Sequence, residues 1–216
     1  MTTDSPAASA PEPDLLTSAF ALLAERGWAG LSLVALAERA GLPLVEVHRQ
    51  LPDRRSILRA LSERVDEAML EVDRAELEGL PPRDKLFELI MRRLDALAPY
   101  REGLARLARD ARSDPCILLP IGCRLDRSLR WMQELAGLRA HGLRPRLQRR
   151  ALLAVYLQAL RTWFVDENAD LAKTMAELDT LLRRVERLAG LREPRQKTGP
   201  DTSPDPRPDD EATQPA

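Results

Sequence analysis

Two cysteines and two histidines are all that this 216-residue chain carries of the soft metal ligands. Cys116 and Cys123 lie in an apolar setting without a second cysteine pair or a nearby histidine. They read as buried or inert thiols of a reducing cytoplasm, not as a disulfide or a metal site. His48 and His141 stand far apart, with no acidic relay and no cysteine partner, which argues against a metal centre and against general-base chemistry. A glycine-rich phosphate loop, a serine elbow and a cluster of metal ligands are all missing, so no enzyme and no cofactor is expected. The net charge is −1, and no global basicity announces nucleic acid. No apolar run approaches the roughly 18 residues of a membrane-spanning helix, and no basic segment followed by an apolar one opens the chain. Stable membrane insertion is not expected.

Aromatics are scarce at 4%, yet hydrophobic residues make up 44%, with leucine, alanine and arginine dominating. That is the composition of an all-α bundle with an aliphatic core. The most informative stretch runs from Leu31 to Leu58. Leu33, Leu36, Ala37 and Ala40 recur at helical spacing, and Ser32 is placed to cap that helix. Gly41 stands where the chain must turn left-handed, which a residue without Cβ does at no steric cost. Pro43 suits the first turn of a second helix, whose inner face would hold Val47 and Leu51. Asp53 is a good cap for a third. Helix, tight glycine turn, helix is the unit that can lay its second helix in a DNA major groove.

Residues 1–13 read as a disordered arm, and Leu15 to Leu23 as the stripe of a first helix ending at Arg26-Gly27. Trp28 would pack the turn after it. Arg54 to about Leu77 is expected as one long helix, ended by Gly79 and Pro81-Pro82, where a second domain begins. The helix-turn-helix domain then spans residues 14–60, with its linking helix reaching about 77. In residues 82–188, helices are expected at Lys85–Leu97, Tyr100–Ala111, Cys116–Leu138, Arg146–Val165 and Ala169–Leu188, about nine helices in the whole chain. Asp166, Asp170 and Thr174 read as caps of the last one. Asp95, beside Arg92 and Arg93, reads as one half of a helix–helix ion pair in preference to a pocket acid. Residues 190–216 are acidic, proline-rich and too poor in apolar groups to fold.

The segments Leu31-Ser32, Ala37 to Leu42 and Leu51 to Leu58 resemble the helix-turn-helix of the TetR family of transcriptional regulators. The resemblance implies three short helices that read DNA, a linking fourth helix, and a helical domain that binds a ligand and forms a homodimer. It departs at the reading surface, where the usual Ser, Gly-Thr, Tyr and Lys are Pro43, Val45-Glu46, His48 and Arg54 here. The DNA-binding residues it implies are Ser32, Leu44, Val45, Glu46, His48, Arg49, Arg54 and Arg55, and the partner is double-stranded operator DNA. Between Asp14 and Glu76, eight bases face eleven acids, so phosphate attraction falls to the local cluster Arg49, Arg54, Arg55 and Arg59.

A second resemblance covers Phe87–Tyr100 and Ala154–Leu182, carried by Trp163, Asp166, Asp170, Thr174, Leu178 and Leu182. These segments are similar to the lipid-binding accessory family of ubiquinone (coenzyme Q) biosynthesis, which shares the TetR-type fold and serves a hydroxylase instead of DNA. Its C-terminal membrane-seeking helix has no counterpart in residues 190–216. Trp131, Tyr156 and Trp163 are either core fillers or, with Leu94, the lining of a cavity for an apolar small molecule or lipid. The sequence therefore supports a TetR-like regulator modulated by an apolar ligand, with a lipid-binding accessory protein as the alternative.

Overall fold

The structure, a computed structural model, describes residues 14–114, 117–138 and 143–189. The expectations for the N-terminal arm, the tail, Cys116 and His141-Gly142 lie outside these residues. Among the described residues every regular element is a helix.

Local capping chemistry sets most of the boundaries. Helix α1 (Leu15–Gly30) is opened by the Asp14 carboxylate, which accepts from the Leu16 N–H. It breaks at Gly27 (φ 70°, ψ 179°), so the helix proper ends where expected and Trp28 to Gly30 form one further turn. Ser32 caps α2 (Leu33–Ala40) by accepting from Ala35, and Gly41 ends it in the left-handed region (φ 66°, ψ 27°). Pro43 takes the N-cap position of α3 (Leu44–Gln50), one residue earlier than the first turn, and offers no side-chain acceptor there. Asp53 and Ser56 form a reciprocal capping box at the start of α4 (Arg54–Leu70).

The expected single helix to Leu77 is broken. It stops at Leu70, and a one-turn α5 (Arg74–Leu77) follows. The cause is local: the Asp73 carboxylate accepts from the Ala75 N–H at 2.9 Å, offering the backbone a cap in place of helix, while Val72 is drawn into the core. Helix α6 (Pro82–Leu97) starts three residues before the expected Lys85, because Pro82 is tolerated at the first helical position. A short 3₁₀ turn (Ala98–Tyr100) leads into α7 (Arg101–Asp110). Then come α8 (Leu118–Leu135), α9 (Leu143–Val165) and α10 (Ala172–Ala189). Pro120 delays α8 without kinking it, since it falls in the first turn.

The described helices pack around one continuous cluster of buried side chains running from Leu15 to Leu182. Helix α1 lies along α7, α4 packs on α6 and α8, and α9 pairs with α10. The expected division at residues 79–82 is thus a break in the helices and not in the core. Helix α7 approaches α1 closely at Gly103, where an added Cβ would stand 2.4 Å from the Phe20 carbonyl oxygen. Phe20 in turn meets the buried Tyr100 ring at 5.2 Å. Asp166 is buried and accepts from both the N–H and the hydroxyl of Thr174 at 2.8 Å, and Asp170 accepts from Ala172 at 3.2 Å, so these residues do cap α10.

Candidate nucleic-acid interface and apolar cavity

Helix α3 is tied down by its inner face alone. Val47 and Leu51 are buried, while Leu44, Val45, His48 and Arg49 are exposed. Glu46 is half-buried and engaged within its own helix: Arg49 pairs with one carboxylate oxygen and the Gln50 amide donates to the other at 2.9 Å. A carboxylate at this position would repel phosphate, and here its charge is offset three residues along. Ser32 accepts from the Ala35 N–H at 3.1 Å and is exposed, with its own O–H left to donate outward.

At the start of α4 the arginines divide. Arg54 donates to the Trp28 carbonyl oxygen at 3.0 Å and lies over the Trp28 ring at 5.5 Å. Arg55 and Arg59 are exposed and make no ion pair among the described residues. Trp28 is held from behind: its N–H donates to Asp110 of α7 at 2.7 Å, and Arg106 donates to the other oxygen of Asp110 at 3.1 Å. The structure therefore brings Leu44, Val45, Glu46, His48 and Arg49 onto one helix, with Arg54 and Arg55 next to it and Ser32 at the head of α2.

Behind these helices lies an apolar cavity of about 230 Å³. Leu61 and Val65 of α4, Leu97 of α6, Leu104 and Leu107 of α7, Ile121 and Leu125 of α8, and Leu160 and Phe164 of α9 line it. Its polar corner is Arg93 with Tyr156. The Arg93 guanidinium forms a buried ion pair with Asp66, and its Nε donates to the Tyr156 hydroxyl at 3.2 Å. Asp66 also accepts from the Ser128 hydroxyl at 2.6 Å, while its second oxygen has no hydrogen-bond partner among the described residues. Because the Tyr156 oxygen already accepts, its O–H is left to donate.

Of the four residues expected to line a cavity, Tyr156 lines this one. Leu94 and Trp163 are fully buried elsewhere in the core, Trp163 beneath the Arg101 guanidinium at 4.9 Å. Trp131 sits under Arg127 at 5.2 Å and borders a shallow surface groove with Leu70 and Leu135. Asp95 is exposed and forms no ion pair among the described residues; Arg93 pairs with Asp66 of α4 instead. Cys123 is exposed, not buried, because it lies on the solvent side of α8. Arg93 and Asp66 were nonetheless visible in the pattern. Arg93 interrupts the stripe of Leu86, Leu89, Ile90, Leu94 and Leu97, and Asp66 that of Leu58, Leu61, Val65 and Met69. A charge on an apolar stripe must find a buried partner.

No protein-family model matches the sequence, and no curated protein matches it. Solved structures do. The TetR transcriptional regulator from Nitrosomonas europaea ATCC 19718 aligns with a TM-score of 0.66 and 25% identity, over 81% of this chain and 98% of that one. A TetR transcriptional regulator from Rhodococcus sp. RHA1 aligns at 0.54 and 16%, over 79% and 92%. A further transcriptional regulator from the same strain aligns at 0.52 and 20%, over 82% and 97%. The fold is that of TetR-type transcriptional regulators. None of these three is described as a lipid-binding accessory protein of ubiquinone biosynthesis, so that resemblance gains no support from them. Among the described residues no helix is long and apolar enough to cross a membrane.

Proposed function

We propose that this protein is a one-component transcriptional regulator that binds double-stranded operator DNA through α3 and the start of α4. The observation that carries the reading is the outer face of α3: a helix held by Val47 and Leu51 alone, bare on its other side, with Arg49, Arg54 and Arg55 about it. A two-fold pair of such helices, about one DNA turn apart, suits a palindromic operator. The homodimer would form on α9 and α10, where Val165 and Leu188 are left exposed, and a two-fold contact buries each twice.

The cavity supports modulation by an apolar small molecule or lipid. Its corner presents a donor, the Tyr156 O–H beside the Arg93 guanidinium, which suits a ligand bearing a carbonyl or carboxylate oxygen. The route outward is short. Helix α7 lines the cavity with Leu104 and Leu107, holds Trp28 through Asp110, and Trp28 holds Arg54. A ligand that shifts α7 thereby biases the reading helices, and DNA by linkage biases ligand affinity equally.

Electrophoretic titration of the full chain against DNA flanking its own gene, with scrambled DNA as competitor, tests the reading. Saturable retardation of the flanking DNA is expected, weakening steeply with salt. Equal indifference to both DNAs at low salt overturns it.

A further inference from the structure

We propose that Val34, Leu44 and Val45 form an apolar surface that reads the C5-methyl groups of thymine in the major groove. The inference rests on the DNA-binding reading above and names the base feature that the same face selects.

Three large aliphatic side chains stand together in solvent at the helix-turn-helix: Val34 is 54% exposed, Leu44 47% and Val45 67%. With Leu33 and His48 they border a single shallow concavity, almost wholly apolar, between α2 and α3. Leu44 and His48 are four residues apart on α3 and Val45 and His48 three, so all three share one helical face. Aliphatic groups clustered at this place do not serve the core, because Val47 and Leu51 already supply the inward face of α3. Their clustering marks a contact surface.

Two of the polar groups nearby are engaged within the protein. Glu46 is taken by Arg49 and Gln50. Arg54 is taken by Trp28. In the major groove each base presents donors and acceptors, and thymine alone adds a methyl group, for which an aliphatic side chain is the fitting partner. The surrounding charge decides the occupant. Arg55, exposed and in no ion pair among the described residues, stands at the start of α4 just after α3, a charge that suits a polyanion, while the charge of Arg49 is offset by Glu46. A second copy docking patch to patch about a two-fold would instead add a second unpaired Arg55, a like charge that disfavours association.

The test is binding of the full chain to duplexes selected from a random pool, each winner then remade with deoxyuridine for thymine. That exchange removes the methyl and leaves the pairing edge unchanged. For the wild-type chain, affinity is expected to fall about fourfold for each contacted methyl lost. The Leu44→Ala/Val45→Ala double variant should bind the thymine and uracil duplexes alike, at about the wild-type affinity for uracil DNA. Comparing both proteins on both duplexes cancels any effect of the exchange on DNA shape. Wild-type chain that binds a selected duplex equally well with either base overturns thymine reading and leaves the regulator reading intact. Failure to select any duplex overturns both. If in that case Val45→Lys abolishes a concentration-dependent rise in mass, the patch is a protein contact.

Discussion

Trp28 and Asp110, 82 residues apart, are joined by a 2.7 Å hydrogen bond from the Trp28 N–H to the Asp110 carboxylate. This single bond fastens the turn after α1 to the end of α7, and Arg106 braces it from the other oxygen. The Trp28 N–H, and after it Arg106, holds the Asp110 carboxyl below the usual carboxylate range. A depressed folded pKa stabilises above the unfolded value of about 3.9, and that contribution is lost as pH falls through the folded value. Asp110→Asn should therefore lower the urea midpoint at pH 7, with the gap to wild type closing as pH falls below about 4. Denaturation curves across that range check it, and a gap of constant size would refute the assignment.

Arg93 and Asp66 are both buried at the cavity wall, so removing one strands the other. Arg93→Met is expected to cost about 3–5 kcal/mol in chemical denaturation. Combining it with Asp66→Leu should recover much of that loss, because no unpaired charge remains. An Arg93→Met chain as stable as wild type would mean that water already reaches the pair.

Gly103 allows α7 to lie on α1 at the Phe20 carbonyl. Gly103→Ala places a methyl inside van der Waals contact with backbone, which cannot rotate away. A loss of about 1–3 kcal/mol is expected, read as a lowered denaturant midpoint, with hydrogen exchange speeding up along α1. Unchanged protection of α1 would show that the helices slide apart freely.

Glu46 pairs with the exposed Arg49 and offsets its charge. Glu46→Thr frees that guanidinium and removes a like charge from the phosphates. Affinity for operator should rise, and the slope of log K against log salt should steepen by about one per arginine released to a phosphate. A salt titration of both proteins on one duplex decides this, and an unchanged slope would place Arg49 away from the backbone.

Much of the local structure was legible in the chain. Ser32, Gly41, Asp53 and the Asp166 to Thr174 cluster act at the helix ends where their chemistry places them, since a cap reaches only a few residues along the backbone. The break at Asp73 had the same kind of cause, but there the long charged run Arg54 to Leu77 resembled uninterrupted helix. The exposed residues of α3 were equally visible, because Val47 and Leu51 take its inward face.

The cavity was not legible in this way. Aromatic character pointed to Trp131, Tyr156 and Trp163, yet Trp163 fills the core, Trp131 borders a surface groove, and the lining is mostly leucine. A void is what five helices fail to fill together, and no one helix carries that information in its own periodicity. The same holds for Arg93: its stripe said that it must be buried and paired, while only packing of α4 against α6 chose Asp66 over the nearer Asp95. Sequence determined the helices, their caps and their inward faces, because those depend on contacts within a turn or two. Tertiary structure decided which charges meet, where the cavity opens and how Trp28 reaches Asp110, because those depend on side chains brought together across the whole fold.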